Sequence, residues 1–390
     1  MEETDVMPAM PLVKEDGVYD VSIIGGGLAG LALGIQCAVA GYKVILFEKE
    51  SYPFHKVCGE YISYEAWDFL EKLGIPLSEM KLPVISRLQV SAPGGKMLEH
   101  KLPLGGFGIS RFKLDGLLAG LAKKAGVELL ENTKVESVQF KNEIFITQSS
   151  QIRSRSRIVA GSFGKRSNLD IKWKRKFILE KNSPLNNYIA VKYHARVEHP
   201  DGLIALHNFR NGYCGISQVE DGKYCLCYMT TAENLRSNGN SIRSLEENVL
   251  QKNPYLKKLF STSHFLYDPL TISQISFDKK SPVEDHILFA GDAAGMISPL
   301  CGNGMSMALH SSQLAYRQIH DFLQNKKSRE HMESAYLDQW NQHFGPRLRT
   351  GRLLQRFFGS PVLSHLLVSF LRPFPGLVDR LIRATHGRPF

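Results

Sequence analysis

Val18-Tyr19-Asp20-Val21-Ser22-Ile23-Ile24-Gly25-Gly26-Gly27-Leu28-Ala29-Gly30 is the stretch on which the fold turns. Its first seven residues are short, largely apolar and β-branched, and closed at once by glycines, the pattern of a buried strand. From Leu28 to Ala40 the apolar spacing becomes helical, and Gly41 offers a C-cap. Lys43 to Phe47 is a second apolar strand, with Glu48 at its end. Strand, glycine turn, helix and strand make a βαβ unit with a right-handed crossover. In that setting the turn predicts a dinucleotide site. Gly25 allows the tight bend, Gly27 lets a pyrophosphate approach the backbone, and Gly30 lets helix and strand pack closely. The pyrophosphate rests on the positive helix end, beside Leu28 and Ala29. Glu48, followed by Lys49, accepts hydrogen bonds from the adenosine ribose hydroxyls.

At 390 residues the chain exceeds what one core usually serves, so two interleaved domains are expected. A hydrophobic share of 43% and a charged share of 22% are those of an ordinary globular protein. The net charge of +10 fits an anionic partner such as a dinucleotide or a membrane face. The basic residues are dispersed without a nucleic-acid-binding motif, so no nucleic acid partner is expected. The cysteines, at 37, 58, 214, 225, 227 and 301, show no CxxC pair and no metal spacing. Reduced thiols, no metal and a cytoplasmic location are the expectation. The first sixteen residues lack the basic start and apolar core of a signal peptide. Pro361 to Leu371 is too short to span a bilayer, which leaves peripheral membrane contact open.

Further along, Leu114 to Ala125 reads as a helix, and Lys134 to Phe140 with Glu143 to Gln148 as a hairpin. From Asn187 to Met229 short aromatic and β-branched runs alternate with the turns Asp201-Gly202, Asn211-Gly212 and Asp221-Gly222, which predicts an antiparallel sheet. Ile287 to Ala290 is again a buried strand, and Met305 to Phe322 a long helix. The tail from Arg347 is helical, with Leu353, Leu354, Phe357 and Phe358 on one face and Arg349, Arg352 and Arg356 opposite. Val362, Leu363, Leu366, Leu367, Phe370 and Leu371 form a second apolar stripe. These helices pack on the domain or form an amphipathic docking surface. The expected division is a flexible extension at 1–17, a discontinuous nucleotide domain at 18–85, 105–180 and 280–325, a substrate domain at 86–104 and 181–279, and a helical region at 326–390.

Gly291-Asp292-Ala293-Ala294-Gly295 follows the late strand directly, and Pro299-Leu300-Cys301-Gly302-Asn303-Gly304-Met305 follows it. With the N-terminal turn and Ser110-Arg111-Phe112-Lys113-Leu114-Asp115, the chain resembles the FAD-dependent oxidoreductases of the aromatic-hydroxylase (group A monooxygenase) and geranylgeranyl-reductase superfamily. The resemblance implies an α/β fold: a Rossmann-like FAD-binding domain of the glutathione-reductase type, interleaved with an antiparallel β-sheet substrate domain and followed by a C-terminal helical tail. It implies FAD, with Gly291 and Asp292 at the ribityl chain and Arg111 at the pyrophosphate or ribityl region. Pro299 and the amides of Gly302, Asn303 and Gly304, with Met305 behind them, would face the flavin N1–C2 end. A helix N-terminus there stabilises the anionic reduced flavin. Lys56-Val57-Cys58-Gly59-Glu60 resembles the geranylgeranyl-reductase branch, in which a Cys-Gly pair lies near the isoalloxazine. Cys58 then tunes the flavin or packs as a small apolar residue.

One position departs from the pattern. Where the hydroxylases carry Gly-Ala-Asp-Gly, this chain has Ala160-Gly161-Ser162-Phe163-Gly164-Lys165-Arg166-Ser167, so Phe163 replaces the acid. NADPH or NADH remains the expected donor, and Phe163 weakens the case for the usual hydroxylase route; Lys165 and Arg166 attract an anion or form a solvated basic turn. The first expectation for the reaction is hydroxylation of a lipophilic aromatic or polyketide-type substrate through a flavin hydroperoxide. The alternatives are C=C reduction in an isoprenoid or lipid, and a non-catalytic flavin-binding protein. Phe209, Tyr213, Ile216, Tyr224, Leu226, Tyr228 and Met229 read as the wall of a lipophilic pocket or as core. Trp67, Trp173 and Trp340 are isolated, so the paired-tryptophan motif of flavin-dependent halogenases is missing and halogenation is disfavoured.

Overall fold

A computed structural model describes residues 12–13, 17–165, 167–179 and 187–390. Most of the expected N-terminal extension, Arg166 and the start of the 181–279 segment therefore lie outside the described residues. The opening unit is β1 (Tyr19–Ile24), α1 (Leu28–Val39) and β2 (Val44–Phe47). Then come β3 (Tyr61–Ser63), β4 (Val84–Ser91), β5 (Met97–Gly108), α2 (Arg111–Lys124), β6 (Glu128–Leu130) and β7 (Ile152–Gly161). The second lobe supplies β8 (Tyr188–Arg196), β9 (Leu203–Phe209), β10 (Gly212–Gln218) and β11 (Tyr224–Thr231). The chain closes with β12 (Ile287–Phe289), α3 (Gly304–Leu323), α4 (Arg329–Gln355), α5 (Pro361–Leu371) and α6 (Pro375–Thr385).

The first sheet runs β12-β7-β1-β2-β6, each neighbouring pair parallel. Val21, Ile23, Ile45 and Leu46 are fully buried, as strands covered on both faces must be. α1 packs between this sheet, α2 and α3. The expected hairpin, Val135–Lys141 with Ile144–Ser149, is added antiparallel on β7.

The second sheet runs β8-β11-β10-β9-β4-β5-β3. The strands between Tyr188 and Thr231 pair antiparallel as expected, whereas β9 and β4 pair in parallel. The two strands come from separate visits of the chain to this sheet, so no hairpin dictates their direction. β3 also joins this sheet through β5, although it lies in the segment assigned to the nucleotide domain. The outer face buries Val191, Tyr193, Ile216, Leu226 and Tyr228 against Leu245, Leu256 and Leu259. The inner face looks at the nucleotide domain.

In the helical region expected at 326–390 the first helix runs from Arg329, upstream of the amphipathic pattern read from Arg347, and carries Pro346 within it. Met332, Tyr336, Trp340, Phe344 and Leu348 recur every fourth residue and are all buried, a stripe diluted by the polar residues around it. On α5, Val362, Leu363, Leu366 and Phe370 are exposed while Leu371 turns inward. Among the described residues no single helix is long and apolar enough to cross a membrane; α5 and α6 pass that test only as a pair, bent by 117°.

Candidate functional site

The glycines of the β1–α1 turn are there for space. Gly25 has φ +102°, and a Cβ on it would strike the backbone of Phe163. A Cβ on Gly30 would overlap the Gly25 carbonyl and Ser162 Oγ. Ser162 Oγ donates to the Gly25 carbonyl at 2.6 Å, which ties the end of β7 to the turn. Glu48 is 6% exposed, and its carboxylate accepts from Gly26 N at 2.8 Å and Glu50 N at 3.1 Å. A carboxylate has about four acceptor positions, so capacity remains for ribose hydroxyls. Lys49 is exposed and pairs with Glu50 at 3.5 Å; the structure does not bring it to the turn.

Arg111 opens α2, behind Ser110, whose hydroxyl accepts from Lys113 N at 3.1 Å as an N-cap. Its guanidinium forks onto the fully buried Asp115 at 2.7 and 2.8 Å. Lys56 Nζ reaches the same carboxylate at 3.1 Å. Two cations on one anion leave a positive charge beside the turn. A Cβ on Gly27 would lie 3.8 Å from Arg111 Nη2 and 3.9 Å from Lys56 Nζ, where a pyrophosphate would approach. Lys56 and Asp115 stood in the quoted segments, but neither carried a role there. Burial pulls the Lys56 ammonium below its ordinary pKa, and Asp115 opposes that pull.

At the other end, Gly291 has φ +63° and its N–H donates to Ser311 Oγ at 2.9 Å. Asp292 sits in a short 3₁₀ turn, its carbonyl accepting from Lys280 Nζ at 2.9 Å. Burial lowers the Lys280 pKa to about 8. Asp292 and Gly304 line one crevice with Met307 and Ser311. Pro299 starts a 3₁₀ turn that ends at Gly302 with φ +64°, and Asn303 is the N-cap of α3. Asn303 does not cap with its side chain, which donates to the Thr385 carbonyl at 2.8 Å. The first N–H groups of α3 therefore have no side-chain cap. Cys58 Sγ meets Met305 Sδ at 3.4 Å, which holds Cys58-Gly59 against the first turn of α3.

Behind that segment lies a cluster that the sequence reading missed. Glu60, at φ +58°, accepts from Lys192 Nζ at 2.5 Å and Arg111 N at 2.7 Å, and lies 2.5 Å from His194 Nε2. All three side chains are at most 4% exposed. Burial alone would raise the Glu60 pKa; His194 and Lys192 outweigh it and hold the carboxyl below its ordinary value. Lys192 Nζ also donates to the Lys56 carbonyl, Ser217 Oγ to Gly59, and Cys225 Sγ to Cys58. Glu60, His194 and Cys225 have the spacing of a metal set. The donor chemistry argues against one: Lys192 already supplies the positive charge, and burial drives the Cys225 thiol well up, away from the thiolate that a metal takes. His55 continues the cluster outward, its ring 5.3 Å from His194 and stacked at 4.7 Å on Phe112.

Strand alternation divides the seven residues read as pocket wall or core. Phe209, Ile216, Tyr224, Leu226 and Tyr228 belong to the outer core; Tyr213 and Met229 face the nucleotide domain. With them on the inner face stand Lys192, His194, Ser217, Cys225 and Cys227, paired Lys192 to Cys227, His194 to Cys225 and Ser217 to Cys225. Phe163 packs edge-on to Trp173 and Phe289, each at 5.9 Å, and Lys165 Nζ donates to the Val57 carbonyl at 3.3 Å. All six cysteines are free.

Residues 20–55 match the model of a family described as an FAD binding domain. Over 378 residues the chain is 25% identical to conditioned medium factor receptor 1 of Dictyostelium discoideum, covering 87% of this chain and 71% of that protein. It is 24% identical to digeranylgeranylglycerophospholipid reductase 2 of Methanopyrus kandleri, covering 87% and 86%. It is 22% identical to the menaquinone reductase of Mycobacterium tuberculosis, covering 87% and 85%. The fold is that of the flavin-dependent brominase Bmp2, with a TM-score of 0.76 at 19% identity over 95% and 93% of the two chains. The glycine cradle, the Arg111–Lys56 charge and the uncapped start of α3 fit an FAD. The chain is an FAD-dependent oxidoreductase, similar in sequence to the lipid and quinone reductases named above.

Proposed function

We propose that the protein reduces a carbon–carbon double bond of a lipophilic, isoprenoid-like substrate, with NADPH or NADH as the electron donor. The observation that carries this reading is the Cys58-Gly59 pair pressed onto the start of α3, with Lys192, Glu60 and His194 buried directly behind it. Once reduced by NADPH or NADH, a bound FAD would supply the hydride for such a reduction. The reduction also needs a proton at the other carbon, and the Glu60 cluster lies behind the Cys58-Gly59 pair at that end of the site. Lys192 Nζ and His194 Nε2 hold protons on the two oxygens of Glu60, and His55 extends the chain of imidazoles toward the exposed Tyr267. Cys225 and Cys227 keep this face small and free of competing charge.

Two of the curated relatives are named as reductases of polyprenyl lipids or quinones, which supports reduction over the hydroxylation expected first. The exposed apolar face of α5 supports peripheral contact with a lipid surface. The likeness to a brominase is one of fold. The test is to reduce the FAD-loaded protein without oxygen and then add a polyprenyl quinone or lipid. Flavin reoxidation and a product that gains two hydrogens are expected. A strict oxygen requirement with a product that gains one oxygen would replace reduction by hydroxylation.

A further inference from the structure

We infer that Lys280 is a positioning residue for the flavin, a buried ammonium that ties the Asp292 turn to the loop behind the glycine turn and so sets how tightly FAD is held. Lys280 is 5% exposed. Its Nζ donates to two main-chain carbonyls, that of Asp292 at 2.9 Å and that of Lys165 at 3.2 Å. The two lie beyond neighbouring strands of the parallel sheet, Asp292 after β12 and Lys165 after β7. Each leads to a different part of the cradle. A Cβ on Gly291 would lie 3.3 Å from the Ala29 Cβ, so the Asp292 turn rests on the opening of α1. A Cβ on Gly25 would lie 2.6 Å from the Phe163 Cα, so the loop that reaches Lys165 backs the glycine turn. Lys165 Nζ in turn donates to Val57 in the Lys56–Glu60 segment. One ammonium thus joins the segments that border the space expected to hold the pyrophosphate and ribityl chain.

A second buried cation stands beside it and shows the contrast. Arg175 donates to the next carbonyl of the same turn, Ala293, at 2.9 Å, and to the Ser281 carbonyl at 2.9 Å. Its charge is matched by Asp170 at 3.0 Å and Glu284 at 3.1 Å. Among the described residues no carboxylate pairs with Lys280, whose partners are the two carbonyls and the Phe177 ring at 5.0 Å. Buried charges are ordinarily paired, and one held by carbonyls alone keeps its charge available to an anion. Asp170, Asp292 and Asp278 favour the ammonium and Arg175 opposes it; burial outweighs them all and lowers the pKa to about 8.

The phosphates of a bound FAD would favour the charged lysine. Its pKa is then higher in the complex than in the free protein, and binding takes up a proton once the pH passes about 8. FAD affinity is therefore level near neutral pH and weakens above that value. Lys56 faces the same space, and burial lowers its pKa as well, so the decisive quantity is the difference between the wild-type pH profile and that of a Lys280 variant. The inference rests on FAD lying along the Asp292 turn and not on the reaction, so failure of the reduction assay leaves it standing.

The test is serial dilution of the FAD-loaded protein between about pH 7 and about pH 9.5, with flavin fluorescence reading release. Lys280→Met is expected to weaken FAD by about tenfold at neutral pH. It should also remove the part of the pH dependence that belongs to Lys280, about fivefold by about pH 9. Lys280→Gln keeps an N–H donor without the charge. It should bind FAD more tightly than the Met variant and show the same loss of slope, and it carries the test where the Met variant does not fold. Wild-type affinity in Lys280→Met overturns the proposal. Weaker binding in both variants with the wild-type slope overturns it as well, and makes Lys280 a structural prop whose charge the cofactor does not use. Asp292→Ala with wild-type FAD affinity overturns it from the other side, because the turn would then lie outside the cradle.

Discussion

The parallel sheet and the mixed sheet meet at the Lys56–Glu60 segment and approach it by different means. The parallel sheet offers backbone: the glycine turn at Gly25 to Gly30, the turn at Gly291, and the uncapped amides opening α3. The mixed sheet offers side chains on alternate positions of neighbouring strands, Lys192 and His194 on β8, Ser217 on β10, Cys225 and Cys227 on β11. A site made of backbone needs glycine at fixed offsets, because any Cβ would fill the space. A site made of strand side chains needs only one face in two, and several residue types serve.

The comparison breaks first at Glu60. Glu60→Ala leaves Lys192 and His194 buried without their anion and should cost about 3–5 kcal/mol, read as a fall in denaturant midpoint. A variant of unchanged stability would mean that the mixed sheet does not depend on this cluster. Gly30→Ala tests the other side. The new methyl overlaps the Gly25 carbonyl, so a loss of about 3 kcal/mol is expected, with flavin content falling sharply in the purified protein; a fully loaded variant would refute the close-packing role.

A smaller effect separates the sheets by pH. His207 lies on β9, its Nδ1 2.9 Å from Ser91 Oγ, and burial lowers its pKa to about 3. The folded value is below the unfolded one, so the unfolded chain binds the proton first as pH falls. Stability is therefore complete above about pH 6.5 and declines between there and pH 3. Between pH 6.5 and 5 the loss is about 2 kcal/mol. His207→Gln should flatten that part of the stability profile; an unchanged slope would place the titration elsewhere.

These differences explain what could be read beforehand. The βαβ unit, the hairpin, the late strand and α3 were legible because apolar period, glycine and helix length agree there. Arg111 and Asp292 were expected from motifs anchored to strand and helix ends, and they lie beside the glycine turn and beside Gly304 respectively. Glu60, Lys192 and His194 were not, since a single charge in an apolar strand reads as an exposed position until register places it opposite a partner more than 130 residues away. The apolar residues of β9 to β11 stayed open between pocket wall and core for the same reason; register puts five of the seven in the outer core. The buried stripe of α4 was harder to read because its four-residue spacing is interleaved with Glu, His and Gln.

The Lys56–Glu60 segment is tied to α2 through Lys56 on Asp115 and Glu60 on the Arg111 amide, and to β8 through Lys192 and His194. One short strap thus belongs to both the nucleotide cradle and the seam between the lobes. Ligation of the dinucleotide and docking of the second lobe are then linked reactions: whatever free energy the cofactor adds to the seam, the closed seam returns to the cofactor in equal measure.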